Sequence, residues 1–176
     1  MSETSRKHKT EAPAKLKYAI FTCSTSRYSQ SKQAKKVNDV SGDLAETLLR
    51  NAGNTVVLRD LIPDDSDFIK KSVKKSLALP ELDAAIFCGG TGIAPSDVTI
   101  ETISPLLEKT LPGFGEIFRR LSYDEIGSPA ILSRAIAGVA KGKAVFCLPG
   151  SPNAVRLCIE KMILPEASHI VKHARE

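Results

Sequence analysis

Apolar runs and helical periods alternate along this chain. Residues 16–22 (LKYAIFT) form a continuous apolar run of strand length. Residues 39–53 (DVSGDLAETLLRNAG) follow with Leu44, Leu48 and Leu49 on one helical face and Gly53 as a C-terminal stop. Residues 54–63 (NTVVLRDLIP) predict a second strand ending at Pro63. Residues 64–79 (DDSDFIKKSVKKSLAL) predict a helix, with acids in its first turn and lysines later, as the helix dipole favours. A third strand (DAAIFC, 83–88) leads into a helix-like stretch (SDVTIETISPLLEKT, 96–110) that Pro105 kinks or breaks. Residues 111–127 read as a Pro-Gly turn and a short amphipathic helix. Residues 132–149 read as a hairpin around Lys141 and Gly142, and residues 151–176 as a final helix interrupted at Pro165.

Strand and helix alternating three times predicts an α/β fold: three layers, α/β/α, around a mostly parallel sheet. The hairpin adds an antiparallel strand and makes the sheet mixed. The chain has 176 residues, 42% of them hydrophobic, which suits one domain over 16–176. Residues 1–15 read as a flexible basic arm. Most of the net charge of +5 lies in the first 17 residues, which weakens a nucleic-acid reading of the body. There is no Trp and few aromatic rings to stack bases. No run approaches the ~20 apolar residues of a membrane helix, and no signal-peptide core is present, so the expected location is the cytoplasm. Cys23, Cys88, Cys147 and Cys158 lack zinc spacing and read as reduced core thiols; a Cys147–Cys158 bridge would be admissible only in a hyperthermophile.

Ligands of an open parallel sheet bind outside its C-terminal strand ends. Three Gly/Ser-rich stretches converge there: TCSTS (22–26), CGGTG (88–92) and LPGSP (148–152). Gly89, Gly90, Thr91 and Gly92 lack the Lys of a Walker loop and the spacing of a dinucleotide fingerprint. They are either a plain tight turn or a backbone cradle for phosphate. Asp97 is either an N-cap or a carboxylate for Mg²⁺. Gly150, Ser151 and Pro152 are a well-capped helix start, with or without an anion on it. Asp64 and Asp65 either begin a helix or bring Asp64 into a metal site with Asp97. His169 and His173 have i,i+4 spacing but suit a helix C-terminus.

The ordered set GGTGIAPSDVT, LPGFGEIFRRLSYDEIG, ILSRAIAG and LPGSPNA, with DVSGDL and LIPDD upstream, resembles the molybdopterin-binding MoaB/Mog family over residues 16–165, nearer its MoaB branch. The resemblance implies a molybdopterin adenylyltransferase of molybdenum cofactor synthesis, with ATP and molybdopterin as substrates and Mg²⁺ as cofactor. It implies catalytic and metal-binding roles for Asp64 and Asp97. Ser24, Gly89, Gly90, Thr91, Gly92, Ser133, Arg134, Gly150, Ser151 and Pro152 fall on its phosphate-binding segments. It further implies a homotrimer or homohexamer and a metal-insertion partner protein, with neither nucleic acid nor membrane. A non-catalytic oligomeric carrier of pterin or nucleotide is the alternative. The match departs at Thr25, which stands where the family usually carries an acid or amide.

Overall fold

The computed structural model describes residue 13, residues 15–33 and residues 37–176. The expected basic arm lies almost entirely outside the described residues. Strands β1 (Lys17–Cys23), β2 (Thr55–Ile62), β3 (Ala84–Cys88), β4 (Lys109–Thr110), β5 (Ile136–Ala140) and β6 (Lys143–Leu148) form one sheet in the order β2-β1-β3-β6-β5-β4. β2, β1, β3 and β6 run parallel; β5 is antiparallel to both of its neighbours. The expected mixed sheet is therefore found. β5 and β6 are joined by Lys141 (φ 50°) and Gly142 (φ 69°), two left-handed residues that match the twist of a tight hairpin.

Side-chain parity explains the layers. Tyr18 and Ile20 of β1, Ile86 of β3 and Phe146 of β6 point to one face. They bury Ala45 and Leu49 of α2 (Val40–Asn51) and Phe114 and Phe118 of α5 (Pro112–Ile126), together with the C-terminal helical segments. Ala19 and Phe21 of β1, Phe87 of β3 and Val145 of β6 point to the other face. There they meet Ile69 and Val73 of α3 (Ser66–Ala78) and Ile103 of α4 (Thr99–Ile103). Each face thus has its own core, and the sheet between them is buried on both sides, as a parallel sheet requires.

Four details depart from the sequence expectations. A helix, α1 (Thr25–Lys32), occupies the Lys/Ser-rich stretch after β1; it has no buried residue, so no hydrophobic period marks it. α5 has 15 residues and begins at Pro112 itself, because proline's fixed φ and missing N–H suit the first helical position. The last helix is not interrupted at Pro165. A π-helical turn (Ile159–Ile163) joins α6 (Pro152–Cys158) to α7 (Leu164–Ala174); the widened turn relieves the ring's conflict with the preceding turn. The two-residue strand β4 covers the outer edge of β5 and follows a 3-10 turn at Ser104–Leu106, where the expected break falls. All four cysteines are free and buried, so Cys147 and Cys158 are not bridged.

Candidate functional site

The sheet order places β1 between β2 and β3, and the helices after β1 and β2 pack on opposite faces. The crevice beyond the C-terminal end of β1 is the topological switch point of the sheet. A cavity of about 450 Å³ opens there. Ser24, Asp64, Gly89, Gly90, Thr91, Gly92, Asp97, Ser133, Arg134 and Gly150 all line it. Ser151 and Pro152 do not. Ser26 and Arg27 of α1 line it as well; Ser26 closes the TCSTS stretch expected there, whereas Arg27 was missed because no hydrophobic period marks its helix. Leu132, 56% exposed, forms part of the rim.

Glycine is required where the three strand ends cross. Gly89 has φ 108°, and a Cβ on it would lie 2.3 Å from the Cys23 carbonyl oxygen of β1. A Cβ on Gly150 would lie 3.1 Å from Gly89 Cα, so the β3 and β6 loops touch backbone to backbone. Gly89 N–H donates to Leu148 O at 2.9 Å, closing the crossing. The next three main-chain N–H groups, of Gly90, Thr91 and Gly92, donate to no described residue. They remain available to an anion, as in other backbone nests.

The outside of this loop is fixed by Arg134. Its Nε donates to Thr91 O at 2.9 Å and its Nη2 to Gly92 O at 2.5 Å. Its Nη1 meets Glu101 Oε1 at 2.6 Å, and that hydrogen bond holds the Glu101 carboxyl below its ordinary value. Arg134 therefore holds the loop through its carbonyls, with its guanidinium donors engaged by protein.

The two aspartates separate from their helix-cap readings. Asp65, not Asp64, caps α3, accepting from the N–H groups of Asp67 and Phe68. α4 begins at Thr99 with Val98 at its N-cap, so Asp97 is not a cap. Instead Asp97 Oδ2 accepts from Ala94 N–H at 2.9 Å, folding residues 94–97 into a turn beside Gly92. Asp64 Oδ2 accepts from the Thr25 N–H at 2.7 Å and from the Thr25 hydroxyl at 3.0 Å. The Asp64 N–H returns a bond to Thr25 Oγ1 at 3.0 Å. Thr25, the departure from the family pattern, thus fixes one carboxylate oxygen. Asp64 Oδ1 faces Gly90, where a Cβ would sit 2.8 Å from it.

The Oδ1 atoms of Asp64 and Asp97 accept from no described residue. No cluster of three or more His, Cys, Asp or Glu suited to a metal occurs among the described residues. Asp64 and Asp97 are the lining carboxylates that could hold a Mg²⁺ beside substrate phosphate and water.

Ser24 is the N-cap of α1, its Oγ accepting from Arg27 N–H, and its own N–H donates to Ile62 O at 2.8 Å. Ser151 caps α6 through Ala154 N–H at 3.3 Å. The DVSGDL segment braces the site from behind. Asp39 caps α2 and pairs with Arg59 at 2.8 Å, while Ser41 Oγ donates to Gly150 O at 2.6 Å. Burial pushes the Cys23 thiol up to about 12, so it stays protonated and is no nucleophile. His169 and His173 lie on α7, away from the cavity, with their Nε2 atoms 2.9 Å apart.

Residues 19–169 match the family described as probable molybdopterin binding domain. The chain is 44% identical to molybdenum cofactor biosynthesis protein B of Bacillus subtilis, over 97% of each chain. It is also 44% identical to a probable molybdopterin adenylyltransferase of Methanocaldococcus jannaschii, over 92% of this chain and 95% of that one. A solved structure of a molybdenum cofactor biosynthesis protein B superposes with a TM-score of 0.85 at 42% identity, covering 94% of this chain and 99% of that one. The chain belongs to the molybdopterin-binding family of molybdenum cofactor biosynthesis proteins.

Proposed function

We propose that this family member transfers AMP from ATP to the terminal phosphate of molybdopterin, with Mg²⁺, in the cavity at the end of β1. The observation that carries the reading is the meeting of Asp64, Asp97 and the open N–H groups of Gly90, Thr91 and Gly92 in one cavity. The probable adenylyltransferase among its relatives supports it.

In the reaction a pterin phosphate oxygen attacks the α-phosphorus of ATP. The new O–P bond forms as the bond from that phosphorus to the β-bridging oxygen breaks, and its electron pair leaves with pyrophosphate. No proton need move and nothing is oxidised. Bringing two polyanions together makes positioning and charge neutralisation the main tasks. The backbone donors of Gly90, Thr91 and Gly92 orient phosphate oxygens without moving, because Arg134 and the Gly89 crossing hold the loop. Asp64 and Asp97 would hold Mg²⁺, which neutralises phosphate charge when bound. Thr25 keeps Asp64 from swinging away from the cavity. No covalent enzyme intermediate is invoked, in keeping with a protonated Cys23 and no histidine in the lining. The domain over 16–176 would act in the cytoplasm as a homotrimer or homohexamer and pass its product to a metal-insertion partner.

The test is a mixture of protein, molybdopterin, ATP and Mg²⁺, followed for pyrophosphate and, by mass spectrometry, for the adenylylated pterin. Product is expected with the native chain. Asp64→Asn and Asp97→Asn should each cut turnover by about 100-fold or more, the scale of losing one transition-state electrostatic group. Folded protein that binds pterin and yields no product would leave the carrier role instead.

A further inference from the structure

The reaction assembles several phosphates, yet the cavity contributes two carboxylates to them. Among the described residues two arginines line it, Arg27 and Arg134. Arg134 is already committed: its guanidinium donates to two loop carbonyls and pairs with Glu101. Arg27 differs. It is half-buried in α1, and its guanidinium makes no hydrogen bond or ion pair with any described residue. Its planar fork of donors is therefore open to a ligand.

Its placement is also fixed. α1 is pinned at its start by the Ser24 N–H to Ile62 O, and by the reciprocal Thr25–Asp64 bonds. Arg27 follows Thr25 by two residues, so its backbone is held in register with Asp64. The Ser24 and Ser26 hydroxyls, 3.3 Å apart, line the same wall. The same lining therefore carries an arginine without a protein partner, two hydroxyl residues and a loop with free N–H groups.

We propose that Arg27 is the side chain that binds nucleotide phosphate oxygens in this cavity, the charge that the lysine-free glycine loop does not itself provide. The inference rests on reading the cavity as a site for phosphate esters of the adenylyl-transfer reaction. The guanidinium would take two phosphate oxygens side by side, a geometry that lysine meets only as a point charge.

Calorimetric titration of the native chain, Arg27→Ala and Arg27→Lys with Mg²⁺–ATP, Mg²⁺–pyrophosphate and AMP tests it. Arg27→Ala should weaken at least one of these ligands by about 10-fold or more, as loss of a charge-assisted hydrogen bond does. Its thermal midpoint should not move, since the guanidinium holds nothing in the fold, and Arg27→Lys should restore part of the affinity. A loss confined to pyrophosphate and ATP assigns Arg27 to the leaving phosphates. A loss shared by AMP assigns it to the α-phosphate of the transferred adenylyl group. Equal affinity of Arg27→Ala for all three ligands overturns the proposal. So does a weakened affinity that comes with a lowered midpoint and no rescue by lysine. Phosphate binding through Arg27 without adenylylated product would sink the transferase reading and keep this one. Product formation by Arg27→Ala with an unchanged KM for ATP would do the reverse.

Discussion

The loops after β3 and β6 leave adjacent strands, touch at Gly89 and Gly150, and both fall on segments that the family resemblance implies bind phosphate. They spend their groups differently. After β6, Ser151 caps α6 and Pro152 fills its first position, and neither lines the cavity. After β3, no residue from 89 to 92 caps a helix. A distant arginine takes the outer carbonyls, and three inner N–H groups stay open. A loop whose side chains cap its own helix keeps those side chains out of the cavity and brings only Pro149 and Gly150 to it. A loop braced from outside keeps its inner face for a ligand.

The sharpest way to break this contrast is at the crossing. Gly89→Ala adds a Cβ 2.3 Å from a backbone oxygen at φ 108°, which only backbone movement can relieve. Destabilisation of about 3 kcal/mol or more is expected by chemical denaturation. A variant as stable as the native chain would show the crossing is not rigid.

Arg134→Leu comes next. It leaves the carbonyls of Thr91 and Gly92 and the Glu101 carboxylate without their donor. About 1–3 kcal/mol of stability should go, and nucleotide affinity should fall with it, because the nest loosens. The same contact has a pH signature. The folded-state pKa of Glu101 is lowered, so its stabilisation is present above the unfolded value near 4.3 and fades as pH falls through the folded one. Glu101 is half-exposed, so screening keeps that contribution small. Glu101→Gln should flatten this part of the acid limb. An unchanged limb would mean that the pair contributes nothing.

The smallest effect belongs to the β6 loop. Ser151→Ala should cost about 1 kcal/mol, the usual value of an N-cap, and leave turnover near native. A large fall in turnover with modest loss of stability would put Ser151 in the site and erase the distinction between the loops.

Hydrophobic period and parity were enough to read β1, β2, β3, the β5–β6 hairpin and α2 and α3, since those elements bury alternating or stripe-like faces. α1 was illegible for the converse reason: TSRYSQSK buries nothing. Its sequence mark was the N-cap Ser24 alone. The missed helix then took Arg27 with it. Asp97 was misplaced as a possible cap because the helix starts two residues later, at Thr99. Pro112 read as part of a turn and Pro165 as an interruption because a proline's neighbours, not the proline, decide whether it opens, stops or widens a helix.

By itself the sequence determined the alternation of strand and helix, the two-faced burial of the sheet, the glycines at its ends and the ordered motifs that place the chain in its family. Tertiary structure alone decided which polar groups meet. Thr25 finds Asp64 across 39 residues, and Arg134 finds Thr91 across 43. Such contacts follow from strand order, and strand order is set by long-range packing that no local period records. The resemblance answered the loop's missing lysine with Mg²⁺ on Asp64 and Asp97; only the fold shows that Arg27 of α1 lines the same cavity.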